Sequence, residues 1–196
     1  MKYLNQNRYD HIPYAQFMDR PDDPYGKFGS VRDAGCGLCC ACMMVDRLTT
    51  KTFTVKESAL LSHACGGNHD DGTDMKVFAP VVAEKFNLDY KPSNDINEAI
   101  DAVRDGGCVI VLSGGNRPDH KAIFSRGGHY VLLISATKDE VCVVDPNFRD
   151  TKYAPWVEKG EVRVDGIFVY ASAERLDADA KRNDTRYYIF RRKGAK

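Results

Sequence analysis

The chain has 196 residues, enough for one domain with a substantial core, and it is read as a single domain over 1–196. Its 28 basic and 28 acidic residues cancel, which argues against a nucleic-acid or anionic-membrane partner and leaves only a local patch open. The 43% hydrophobic and 29% charged content is that of a soluble globular protein, and no stretch nears the roughly 20 apolar residues of a membrane span.

Met1 to Arg8 is polar and lacks the apolar core of a signal peptide, so the expectation is a cytoplasmic protein. Residues 1–35 show little periodicity and many turn formers, including Pro13, Pro21, Pro24, Gly26 and Gly29. They read as an irregular arm over a later core, anchored by Tyr3, Tyr9, Tyr14, Phe17, Tyr25 and Phe28. Residues 36–106 read as mainly helical. Cys36 to Leu48 is apolar at helical spacing and opens just after Gly35. Thr54-Val-Lys-Glu57 has the spacing of a capping box and opens a helix through about Ala64. Thr73 is placed as the cap of a third helix through Met75, Phe78, Val82 and Phe86, with Pro80 imposing a kink or a late start. Asp95-Ile-Asn-Glu98 repeats the box, and Gly106-Gly107 stops that helix. Residues 107–192 then switch to strands: Cys108 to Ser113, His129 to Ser135, Glu140 to Asp145, Gly166 to Ala171 and Arg186 to Arg191. Lys138-Asp139 joins the second and third as a tight hairpin, and Arg191, Arg192 and Lys193 read as a solvated tail. Helices first and an antiparallel sheet afterwards predict an α+β layered fold.

Seven cysteines stand at 36, 39, 40, 42, 65, 108 and 142, an odd number that suits free thiols in a reducing compartment. Cys108 and Cys142 lie in apolar runs and read as buried small hydrophobes. A reactive thiol needs to be ionised, and a free one has a pKa of about 8.5 that a helix N-terminus lowers. Cys36, between Gly35 and Gly37 at a predicted helix start, is the one cysteine so placed, and the glycines would let backbone and substrate approach closely. A base must come from elsewhere. His129 follows Gly127-Gly128 and starts a strand, while Asp145 ends the paired strand just before Pro146. The hairpin makes the two neighbours, so that the carboxylate could fix the tautomer of the ring and stabilise its protonated form. The loop from Gly114 to Gly128, which contains His120, runs directly into His129 and could gate it.

In order along the chain, Leu4-Asn-Gln6 with Pro13-Tyr14, Ala34-Gly-Cys-Gly37, Gly72-Thr-Asp74, Gly128-His-Tyr-Val131 and Val144-Asp-Pro146 resemble the peptidase C39-like family, within the papain-like cysteine peptidases. The pieces cover roughly residues 4–148. The resemblance implies a papain-like fold and a Cys-His-Asp triad on Cys36, His129 and Asp145. It further implies a Gln side chain that helps the Cys36 backbone N–H hold an oxyanion, with Gln6 the first candidate and Gln16 the second. It implies a peptide or protein substrate and no cofactor. The sequence departs from the family after Cys36-Gly37: Leu38, Cys39 and Cys40 stand where the family has Pro and then small or hydroxyl residues. No ATP-binding cassette accompanies these residues, so the leader processing of transporter-linked relatives is not implied.

Competing chemistries are a zinc site built from Cys36 and Cys39 with Cys65 and His69 (or His63), and thiol–disulfide exchange between Cys36 and Cys39, for which the usual βαβ setting is missing. Asp70, Asp71 and Asp74 could hold a cation or form a solvated loop. A third class is a peptide-binding module of the same fold that does no chemistry. The oligomeric state is not encoded in any pattern found.

Overall fold

In the strand His129–Ala136, Tyr130, Leu132 and Ile134 turn to one face, while Val131 and Leu133 turn to the other. Both sets are apolar, so the sheet that contains this strand has to be covered on both sides. The computed structural model, which describes residues 1–16, 28–181 and 183–194, shows how. In chain order the elements are a short 3-10 turn (Gln6–Arg8), β1 (Pro13–Gln16), β2 (Phe28–Ser30), α1 (Val31–Ala34), α2 (Cys36–Leu48), α3 (Val55–Ala64), β3 (Asn68–His69), β4 (Gly72–Thr73) and α4 (Met75–Phe86). There follow β5 (Leu88–Ser93), α5 (Ile96–Arg104), β6 (Cys108–Ser113), β7 (His129–Ala136), β8 (Val141–Val144), α6 (Asp150–Glu158), β9 (Arg163–Asp165), β10 (Phe168–Ala171), α7 (Ala173–Ala180) and β11 (Tyr187–Arg192).

Seven strands form one antiparallel sheet in the order β5-β11-β6-β7-β8-β10-β9. Helices α2, α3 and α4 pack on one face around Leu38, Met43, Phe78 and Leu132. Helices α5, α6 and α7 pack on the other around Val103, Tyr153, Leu176 and Leu133. The fold is thus the expected α+β arrangement of helices on an antiparallel sheet. Among the described residues no helix is long and apolar enough to cross a membrane.

The helices whose starts carry capping chemistry fall where the sequence puts them. Thr54 and Glu57 close the reciprocal box that opens α3. Cys36–Leu48 matches its expected bounds, with ten of its residues buried. Two caps differ. Asp74, not Thr73, caps α4 by accepting from the Lys76 N–H at 2.9 Å, because the Thr73 hydroxyl is bonded to buried Tyr14 at 2.7 Å. Asp95 caps α5 alone, since the Glu98 carboxylate is held by Lys91 and Ser93 instead. Pro80 stays inside α4 on its exposed face, where water can serve the carbonyl that its ring leaves without a partner.

Two readings are corrected. The N-terminal arm is not merely irregular: it contributes β1, β2 and α1, and Tyr14 is fully buried, whereas the proposed anchors Phe17 and Tyr25 lie outside the described residues. Arg191 and Arg192 end strand β11, and the Arg192 guanidinium donates to the Leu48 carbonyl at 3.0 Å, so they are structural and not a free tail. Within the mainly β stretch, α6 and α7 stand between strands and cover the second face of the sheet.

Candidate active site

Gly35 and Gly37 set the position of Cys36 through packing. A Cβ on Gly35 would lie 2.6 Å from the Val31 carbonyl oxygen, and one on Gly37 would press on Met75, Thr73 and Tyr130 at 3.0–3.1 Å. The room that the glycines leave is filled by the protein itself, not kept for a substrate. Helix α1 leads straight into α2 through Gly35, so Cys36 is the first residue of α2, where backbone N–H groups lack intrahelical acceptors. The Sγ of half-buried Cys36 accepts from the N–H of Tyr130, the residue after His129, at 3.4 Å.

The surroundings of the thiol set its acidity. Burial alone would push it up, but His129 and the backbone N–H groups of Tyr130 and Gly37 outweigh burial and hold Cys36 below the ordinary thiol value. The three other thiols of α2 go the opposite way: burial raises Cys39 and Cys40 well above that value and Cys42 to about 12. Tyr130 marks the divide. Its N–H faces the Cys36 sulfur, whereas its carbonyl accepts from the Cys40 thiol at 3.5 Å.

His129 begins β7, paired with Ser113 of β6. Its Nε2 lies 2.7 Å from Asp145 Oδ1. A carboxylate can only accept, so Nε2 carries the proton and Nδ1 is left for the thiol side. Burial would lower this imidazole, but the Asp145 charge and hydrogen bond reverse the effect, with help from Cys36, and raise it to about 9. Asp145 follows β8 and is fully buried. Its Oδ1 also accepts from the Asn147 N–H at 2.7 Å, and its Oδ2 accepts from Lys152 Nζ and from the Tyr153 hydroxyl. Burial would raise this carboxyl, but His129 and Lys152 hold it well below the usual carboxylate range. The location of His129 at a strand end matters. Farther along β7 the sheet would separate a thiol carried by α2 from a carboxylate supported by α6; at its first residue the two layers meet.

Gln6 is buried in the 3-10 turn. Its backbone N–H donates to the Pro146 carbonyl at 2.8 Å, and its Nε2 donates to the Arg32 carbonyl at 2.8 Å. It therefore ties the turn after Asp145 to the helix that delivers Cys36. Its Oε1 is buried without a hydrogen-bond partner among the described residues. Neighbouring side chains of the arm repeat the pattern: Tyr3 donates to the Asp145 carbonyl, Asn5 to the Phe148 carbonyl and Asn7 to the Asn147 side chain. The Gln16 side chain, the second candidate, lies outside the described residues.

The remaining candidates separate. Cys39 is sealed in the core while His69 is exposed on β3. Cys65 donates to the Ser62 carbonyl, and His63 bonds Asn68. Among the described residues no three or more His, Cys, Asp or Glu side chains gather as a metal site, so the proposed zinc ligands are not brought together. Asp70 and Asp71 are exposed in the β3–β4 turn, and Asp74 is used as a cap. The loop read as a gate is pinned at its middle. Ile123 and Phe124 are buried, with their N–H groups on the Asp179 carboxylate at 2.7 and 3.3 Å. Lys152 and Tyr153 are the site-facing residues that the sequence did not reveal. Only Asp145-Pro146-Asn147 carries a local signal, that of a side chain closing a turn onto the N–H two residues on.

The whole fold is similar to the crystal structure of a protein from Bacillus anthracis proposed to be a C39-like peptidase. The match covers 97% of this chain and 98% of that one, with a TM-score of 0.52 and 11% sequence identity. The likeness is one of fold. No protein-family model matches the chain, and no curated protein matches it.

Proposed function

We propose that the protein is a cysteine hydrolase, in the first place a peptidase of the papain-like kind, with Cys36 as nucleophile, His129 as base and Asp145 as the group that orients the base. The observation that carries this reading is one buried imidazole bound to Asp145 at 2.7 Å, with the N–H of the next residue, Tyr130, 3.4 Å from the sulfur of Cys36 at the start of a helix. The opposed shifts of the two groups, Cys36 down and His129 up to about 9, favour a thiolate–imidazolium pair.

The chemistry follows from those positions. The Cys36 proton rests on His129 Nδ1, and the thiolate attacks the scissile carbonyl carbon as the C=O π pair moves onto oxygen. The Cys36 backbone N–H and the second Nε2 hydrogen of Gln6 face that oxyanion in this assignment. The intermediate collapses as the imidazolium protonates the leaving amine, and a thioester remains. His129 then deprotonates a water, which attacks the thioester; the acid leaves, and the Cys36 thiolate is restored beside the protonated His129. Asp145, held by four donors, keeps the ring in the tautomer that both steps require. No cofactor enters this sequence of steps.

The test is incubation with a mixed peptide pool followed by mass spectrometry. New peptide termini are expected with the wild-type protein and not with Cys36→Ala. Equal product profiles from both proteins, or no product from either, would remove the proposal.

A further inference from the structure

A groove of about 950 Å³ opens beside the far side of Asp145, between the loop leading into His129 and helix α6. Five cations line it, Lys121, Arg126, Arg149, Lys152 and Lys159, and among the described residues no acidic one does. A shallower hollow of about 480 Å³ continues from Arg149 to Arg8 and Arg32, again without an acid among the described residues. In a chain with 28 charges of each sign this is a marked segregation. Among the described residues, only Lys152 of these cations has a carboxylate partner, which is Asp145.

From this geometry we infer that the groove binds an acidic peptide segment, the part of a substrate remote from the bond that reacts. The groove does not reach Cys36. Its lining stops at Asn147 and Lys152, the residues that hold Asp145, so its occupant lies along the flank of the site. The substrate class rests on the hydrolase reading above; the anion preference rests on the groove alone. Exposed cations gathered in a concave surface sum their fields and favour an extended carboxylate-rich ligand, with an affinity that salt weakens. A single-stranded nucleic acid fits less well. Trp156, the one aromatic ring of the groove among the described residues, already has Lys159 and Arg175 over it at 4.9 and 5.0 Å, cations with which a stacking base would have to compete.

Trp156 is the only tryptophan of the chain, so its fluorescence reports on the groove directly. The experiment titrates the full protein and its Cys36→Ala variant with a peptide carrying six glutamates, and with the same peptide carrying glutamines. The expected result is saturable quenching by the glutamate peptide in both proteins, at least about tenfold tighter than for the glutamine peptide and weakened by added salt. Exposed Lys121 and Lys159 changed together to glutamate should weaken binding about tenfold more, with the circular dichroism spectrum unchanged. Equal affinity for the two peptides, no quenching, or stronger binding of a single-stranded oligonucleotide of equal charge would overturn the inference. Glutamate-selective binding without cleavage of any peptide would sink the hydrolase reading and leave the groove standing. Cleavage without glutamate preference would do the reverse.

Discussion

Two histidine–aspartate pairs in this protein have the same local geometry and different surroundings. His129 Nε2 lies 2.7 Å from Asp145, and His120 Nε2 lies 2.7 Å from Asp179. Both carboxylates are fully buried. Around the first pair stand a thiol at a helix start, Lys152 and Tyr153, and Asp145 is driven down. Around the second stand the N–H groups of Ile123 and Phe124 and the Arg175 guanidinium, which tie the loop between β6 and β7 to helix α7. Burial dominates there, and Asp179 is shifted up. A buried His–Asp pair is therefore not in itself a catalytic device. What separates the two is the Cys36 sulfur, which lies 3.4 Å from the N–H of Tyr130, the residue that follows His129, while no thiol accompanies His120 among the contacts of the described residues.

The comparison can be broken at several points. Cys36→Ala should abolish hydrolysis by about 10³-fold or more while leaving the fold intact, measured as kcat/KM beside thermal unfolding. Asp145→Ala should lower kcat/KM by about 10²- to 10⁴-fold, as expected when the orienting carboxylate of a triad is lost. Asp179→Ala should leave kcat/KM within about threefold and instead cost about 3 kcal/mol of stability, since it strands buried donors and His120. Comparable loss of activity from both changes would contradict the division of roles. Gln6→Ala should lower kcat by about 10²-fold with little change in KM, the pattern of a donor used only in the transition state. The smallest effect is the shape of the pH profile. The active pair needs a thiolate, formed as pH rises through the lowered Cys36 value, and an imidazolium, lost as pH rises through about 9. A bell with its alkaline limb near 9 is expected, and Asp145→Asn should move that limb downward.

Much of this was legible in the sequence, for identifiable reasons. Capping chemistry and periodicity place α2 and α3, and the hairpin at Lys138-Asp139 sets His129 beside Asp145. The thiol of interest could be chosen among four in α2 because only Cys36 sits at the N-terminus; its neighbours are sealed by packing. The second helical layer left no such signal. Helix α6 carries Pro155 and buries a single residue, Tyr153. Helix α7 reads Ala-Glu-Arg-Leu-Asp-Ala-Asp-Ala, a solvated pattern in which the buried Asp179 looks like one more surface charge. Strand β5 lies at the sheet edge and contains Pro92, which weakens its pattern. The clamp on Asp145 was invisible because Lys152 and Tyr153 sit on the helix that could not be read. A zero net charge likewise concealed a one-signed groove, because composition sums over the surface while binding depends on where the charges lie.

The central claim is that His129 controls the ionisation of Cys36. The rate of Cys36 alkylation by iodoacetamide, followed by peptide mapping from pH 4 to 10, measures it directly. In the wild-type protein the labelling of Cys36 should titrate below the about 8.5 of a free thiol, and in His129→Ala it should move up toward that value. A titration at the free-thiol value in both proteins, indifferent to His129, would contradict the account.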